Sequence, residues 1–240
     1  MRKQFLSVAV ATGMAVFSGI ASADIIGAEV HAGYWGQDVA GDFGVGSDVV
    51  NLENNLNLDG DDGHFVSVSV EHPVPLLPNV KVGYTNIKQS GNGTVGSFDG
   101  ITGSTDSELD LTFVDLTAYY EVLDNIIDLD LGLTVRSLDS ELTVSGGGME
   151  SVTEVKGALP MVYGAAAVNL PFTGVSAGAE ANLVSYGGDS IVDGSAYVQY
   201  SISLLEVRGG YRMLDIDYED DNAVLKMKNS GPFLSVGLDF

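Results

Sequence analysis

The 240-residue chain sets 33 acidic side chains against ten basic ones, a formal net charge of −23 at pH 7. Such a surface repels phosphate backbones and excludes nucleic acid as a partner. The absence of cysteine excludes a disulfide scaffold and a thiolate metal site. Acidity alone also suits a disordered chain, but 45% of the residues are hydrophobic and alternate in segments between the charge blocks. Solubility in a saline habitat accounts for the acidity; a sharper account is bridging by divalent cations to anionic lipid headgroups.

In chain order, Arg2 and Lys3 precede an apolar stretch from Phe5 to Ile20 and an A-x-A site at Ala21-Ser22-Ala23. This is the pattern of a secretory signal peptide over residues 1–23, too short and too diluted by Ser, Thr and Gly for a spanning helix. Residues 24–240 then form one all-β domain, with no Pro/Ser-rich linker to divide them.

After Asp24 no segment holds a long apolar run or a capped 3.6-residue stripe. Stretches of about ten residues alternate with period two, the length that crosses a bilayer as a tilted strand. Ten are expected: 26–35, 64–72, 79–88, 109–121, 127–137, 159–170, 175–186, 193–203, 205–216 and 231–240. The cleanest sets Leu129, Leu131, Leu133 and Val135 against Asp128, Asp130, Gly132, Thr134 and Arg136. Merging one weak pair would leave eight.

Alternation suits a soluble sandwich as well as a membrane barrel, in which the apolar face is turned outward. Connection lengths favour the barrel. Short connections at 73–78, 122–126, 171–174 and near 203–205 alternate with mostly longer ones at 36–63, 89–108, 138–158, 187–192 and 217–230. That matches short periplasmic turns and longer extracellular loops. Tyr34, Trp35, Tyr84, Tyr119, Tyr120, Tyr186, Tyr200, Tyr218 and Phe240 fall near strand ends, where interfacial girdles belong. The expected fold is a transmembrane antiparallel up-and-down β-barrel of about ten strands, whose narrow lumen is filled by side chains.

The chain ends Phe233-Leu234-Ser235-Val236-Gly237-Leu238-Asp239-Phe240. A terminal Phe with Leu238, Val236 and Leu234 at alternate positions before it resembles the signal read by the outer-membrane assembly machinery. The mature chain resembles the small Gram-negative outer-membrane β-barrel proteins of the "OMP b-brl" type. That resemblance implies the barrel, an outer-membrane location, contact with outer-membrane lipid and lipopolysaccharide, and the assembly machinery as a partner during biogenesis; it implies little about activity. A monomer is expected.

On the lumen face, Lys81, Arg136, Arg208 and Arg212 have Glu29, Glu71, Asp115, Asp128, Asp130, Glu180 and Glu206 to pair with. In a narrow interior an unpaired charge is costly, so a structural salt-bridge network is the first expectation and a cation-selective constriction the functional one. His31 shares a face with Glu29 two residues away, the spacing of neighbours in a sheet; a His near the outer rim of a barrel can act as general base, but His31 sits mid-strand. The other histidines are His64 and His72, and no Ser/His/Asp set accompanies them, so no enzyme and no cofactor are expected. Asn57, Asp59 and Asp61 have one-three-five spacing for Ca²⁺, broken by Asp62 where a glycine is needed, so solvated acidic loops are expected there and at 215–222. The segment Val49–Leu58 can extend the strands or fold inward as a plug. A structural, narrow-channel or surface-interaction role follows. The alternatives are a lipid- or peptide-modifying barrel enzyme and a carrier of a small hydrophobic ligand.

Overall fold

In the computed structural model, residues 26–45, 48–74, 76–219 and 223–240 are described; the expected signal peptide at 1–23 lies outside them. The chain runs as β1 (Gly27–Trp35), β2 (Asp38–Val45), β3 (Asp48–Asn51), β4 (Leu58–Glu71), β5 (Asn79–Phe98), β6 (Ile101–Leu123), β7 (Ile127–Gly146), β8 (Met149–Leu170), β9 (Val175–Tyr186), β10 (Asp189–Ile202), β11 (Leu205–Glu219) and β12 (Ala223–Asp239). Strands β1 and β4 to β12 pair antiparallel in sequence order, and β1 pairs with β12 to close a ten-stranded barrel. β2 continues β1 along the far half of β12, and β3 folds back on β2 as a short hairpin. The last residue seals the seam: the Phe240 N–H donates to Ala28 O at 2.9 Å, and the Ala28 N–H to Phe240 O at 3.2 Å.

The far-side connections are built largely as strand. β5, β6, β7 and β8 run 20 to 23 residues, about twice the length that crosses a bilayer. The stretches 89–108 and 138–158 are therefore paired hairpins, closed by the tight turns Asp99-Gly100 and Gly147-Gly148, whose four residues all have positive φ.

The backbone keeps one side-chain parity through each long strand, yet the polarity swaps partway. On β6, Val114, Leu116 and Tyr120 point outward and Asp115, Thr117 and Tyr119 inward; farther up, Asp106, Glu108 and Asp110 point outward and Leu109, Leu111 and Phe113 inward. β7 repeats the swap between Val135 and Leu138, and β11 between Met213 and Leu214. The apolar outer belt of the lower tier, Val82, Leu116, Leu133, Val162, Val198 and Val236 among it, is that of a membrane barrel. The upper tier has a polar exterior and a largely apolar core, as a soluble protein has. This chain is an outer-membrane β-barrel with a soluble-type β-structure standing on top.

The core of the upper tier joins Val39, Phe43, Ile87, Leu109, Leu111, Leu142, Ile216 and Met227 from the wall with Val50, Leu52, Leu56 and Leu58. The 49–58 segment thus turns inward. Of the expected girdle, Tyr34, Tyr84, Tyr120, Tyr200 and Phe240 do face outward, whereas Trp35 and Tyr119 point into the barrel. Their parity sends them there: Trp35 continues the face of His31, and Tyr119 that of Asp115.

Lumen glycines make room for large neighbours on the same rung. Phe65 faces Gly33, Tyr119 faces Gly132, Tyr197 faces Gly178, Phe233 faces Gly210 and His31 faces Gly237. At each of these glycines an added Cβ would fall on the side chain opposite.

Candidate functional site: the polar lumen

Directly beneath the apolar core lies a buried ion cluster. Arg136, fully buried, grips Asp115 with two bonds, Nε to Oδ1 at 2.8 Å and Nη2 to Oδ2 at 2.7 Å, and reaches Asp193 at 2.6 Å. Arg212 holds the same Asp193 through Nε at 3.0 Å and Nη2 at 2.9 Å. Aromatic rings cap the two guanidinium groups, with Arg136 4.0 Å over Phe113 and Arg212 4.8 Å over Trp35. A buried charge persists only when paired and bonded, and here two cations share two carboxylates.

One level down, Lys81 pairs with Glu180 at 2.5 Å and lies 5.5 Å over the Tyr163 ring. Thr117 and Thr134 share a 2.7 Å bond, and Thr134 donates to Asn182 at 2.6 Å.

The next level is built on the closing seam. His31 Nε2 lies 2.5 Å from Glu29 Oε1 and 3.1 Å from Glu206 Oε2. Each carboxylate is held by its other oxygen: Ser69 donates to Glu29 Oε2 at 3.3 Å, and Gln199 and Ser201 donate to Glu206 Oε1 at 2.5 and 3.0 Å. Arg208 Nη2 donates to Glu29 Oε1 at 2.8 Å, its Nε to Gln199 at 2.5 Å, and its guanidinium lies 4.5 Å over Tyr197.

Below this level a cavity of about 380 Å³ opens at the end that carries the short turns, bordered by Glu29, Glu71, Asp128, Asp130, Glu206 and Asp239 with Arg208. Glu71 accepts from the Tyr119 hydroxyl at 2.8 Å and Asp128 from Asn169 at 2.7 Å; neither they nor Asp130 has an ion-pair partner among the described residues. The vestibule is therefore acidic.

All four expected lumen cations meet carboxylates, with Glu29, Asp115, Glu180 and Glu206 among them; Glu71, Asp128 and Asp130 stay at the mouth. Asp193, which joins two arginines, was missing from the expected set. It sits two residues before Ser195 on the face of Ser195, Tyr197 and Gln199, so carrying that alternation one step farther would have found it. The Glu206–His31 contact had no signal in spacing, because the residues are 175 positions apart. Leu234, Val236 and Phe240 of the expected assembly signal lie exposed on the outer face of the seam. Of the acidic blocks, Asp59 accepts its own neighbour's Gly60 N–H at 2.9 Å, while Asp220, Asp221 and Asn222 lie outside the described residues.

No family model matches the chain, and no curated protein matches it. Among solved structures it is similar to the translocator domain of the autotransporter NalP from Neisseria meningitidis, at 11% identity and a TM-score of 0.48 over 92% of this chain and 90% of that one. It is also similar to a major outer-membrane protein from Thermus thermophilus, at 12% identity and 0.40 over 90% and 100%. A third likeness is to Neisserial surface protein A, at 11% identity and 0.35 over 90% and 97%. At such identities and scores none of these speaks to what the chain does.

Proposed function

We propose that this chain is a non-conducting, non-catalytic outer-membrane protein that acts through the wall it raises above the bilayer. One observation carries the reading. The lumen is crossed by a packed, largely apolar layer, in which Trp35, Leu52, Leu56, Ile87, Leu109, Leu111 and Leu142 are at most 1% exposed and the enclosed polar side chains Gln89 and Asn229 bond to each other at 2.7 Å. A hydrated ion would have to displace that close-packed layer and then pass the paired arginines beneath it. A cation-selective constriction needs a wet path, and the acidic vestibule ends blind under this seal.

The wall itself offers an acidic face. On its outer side Asp110, Glu141 and Glu154 stand opposite one another across β6, β7 and β8, directly above the lipid belt. Anionic headgroups of lipopolysaccharide, bridged by divalent cations, are the partner this placement suits, and the apolar row on β12 suits recognition by the assembly machinery. Planar-bilayer recording tests the main claim. No conductance steps are expected from the folded barrel at either polarity; steady steps of either ion preference would overturn it.

A further inference from the structure

We propose that Glu29, His31 and Glu206 form a binding site for a divalent transition-metal cation, a clamp across the seam where the barrel closes. Glu29 and His31 stand on β1, Glu206 on β11, and β12 runs between them. His31 and Glu206 share one rung, each directly opposite Gly237. With any side chain at 237 the imidazole could not lie across β12, because an added Cβ would fall on its ring. The missing side chain is what brings a β1 histidine against a β11 carboxylate.

The donor atoms then converge. One ligand atom from each of the three residues lies within 4.8 Å of the others. Both carboxylates aim their inner oxygen at the same imidazole nitrogen, although a single N–H suffices for only one good hydrogen bond. Their outer oxygens are fixed by Ser69 on one side and by Gln199 and Ser201 on the other. Outer-shell donors of this kind orient metal ligands. His31 is 2% exposed and its Nδ1 has no hydrogen-bond partner among the described residues; it borders a cavity of about 80 Å³ that Ser235, likewise unpartnered at Oγ, also lines. That space admits a water to serve as the outer partner of the ring.

Charge favours a cation. Glu29 and Glu206 both line the vestibule, where Glu71, Asp128, Asp130 and Asp239 add four more carboxylates against Arg208. Arg208 Nη2 lies 2.8 Å from the inner oxygen of Glu29 and 3.9 Å from that of Glu206, and it can yield both to an incoming ion because Gln199 and the Tyr197 ring hold it independently. One imidazole with two carboxylates is a donor set for Zn²⁺, Co²⁺ or Mn²⁺ rather than Ca²⁺ or Mg²⁺, which take oxygen alone. Access is from the vestibule only, since the apolar layer closes the other side.

Refolded barrel in detergent is titrated with Co²⁺, followed by its ligand-field absorption, and the ion is then displaced with Zn²⁺. One Co²⁺ per chain with a band that Zn²⁺ abolishes is expected. His31→Gln and Glu206→Gln should each weaken binding at least tenfold, while Glu154→Gln on the outer wall leaves it unchanged. Folding of each variant is read from its heat-modifiable gel mobility, and two variants are used so that one unfolded protein does not end the test. A Zn²⁺-dependent rise in the melting temperature of the unaltered protein, lost in whichever variant folds, is the second readout. Absence of a saturable band below millimolar Co²⁺, or binding that the folded variants leave intact, overturns the site.

Discussion

The two tiers are made by the same strands and the same hydrogen-bond ladder, yet their chemistry is opposite. On β7, Leu129, Leu131, Leu133 and Val135 face out below, and Ser137, Asp139, Glu141 and Thr143 face out above. Inward, Asp128, Asp130, Thr134 and Arg136 give way to Leu138, Ser140, Leu142 and Val144. Backbone geometry assigns a side chain to a face, and the medium outside decides which chemistry that face must have. Below, lipid accepts apolar groups, so polar groups gather inside and must satisfy one another. Above, water accepts charge, so burying apolar area inside stabilises the structure as in any soluble protein.

The sharpest way to break this contrast is to remove the carboxylate that two arginines share. Asp193→Leu should destabilise the lower tier by about 3–5 kcal/mol, because Arg136 would keep only Asp115 and Arg212 would lose its carboxylate partner inside the barrel. Urea unfolding in lipid vesicles, followed by the fluorescence of the sole tryptophan, Trp35, measures it. A loss under about 1 kcal/mol would mean that water in the small cavity beside Asp193 solvates both guanidinium groups.

In the upper tier the corresponding test is a cavity. Leu111→Ala, at a fully buried site, should cost about 2–5 kcal/mol. A near-zero cost would mean that the upper interior is loosely packed, and the barrel would then no longer be sealed by it.

The lipid boundary can be located with one substitution moved along one face. Leu133→Arg, in the outer belt, should cost about 2–4 kcal/mol, and Ser137→Arg, four residues up on the same face of β7, about 0–1 kcal/mol. Equal costs at the two positions would erase the boundary between the tiers.

The sequence showed the lower tier well and the upper tier hardly at all, for one reason. In the belt, alternation is strong because lipid tolerates no polar side chain, so Leu129 to Val135 reads at sight as a strand. At Phe113-Val114 and Met213-Leu214 two apolar residues stand in succession, and the alternation resumes in the opposite phase. Read as a pattern, that slip ends a strand; physically it marks the water surface, and the strand goes on. Of the lumen site, the charges were legible from their parity to the belt. The His31–Gly237–Glu206 rung was not, because it depends on which strand lies beside which at barrel closure.

The smallest effect expected is a gain. Glu141 stands opposite Asp110 on one side and Glu154 on the other, and it makes no ion pair among the described residues. Its neighbours are better placed, since Lys88 holds Asp110 at 2.8 Å and Lys156 reaches Glu154 at 3.3 Å. Like charges directly opposite in a ladder oppose pairing, so Glu141→Gln should raise stability by about 0.2–1 kcal/mol. The gain belongs to a water-exposed surface and must shrink as salt rises; at about 1 M salt, where screening acts within ~3 Å, it should vanish. The same substitution measured at low and high salt therefore reports whether this wall stands in water. A gain that persists at high salt would place Glu141 in a low-dielectric setting, inside the headgroup layer, and would move the boundary between the tiers upward by four residues of β7, from Ser137 to Glu141.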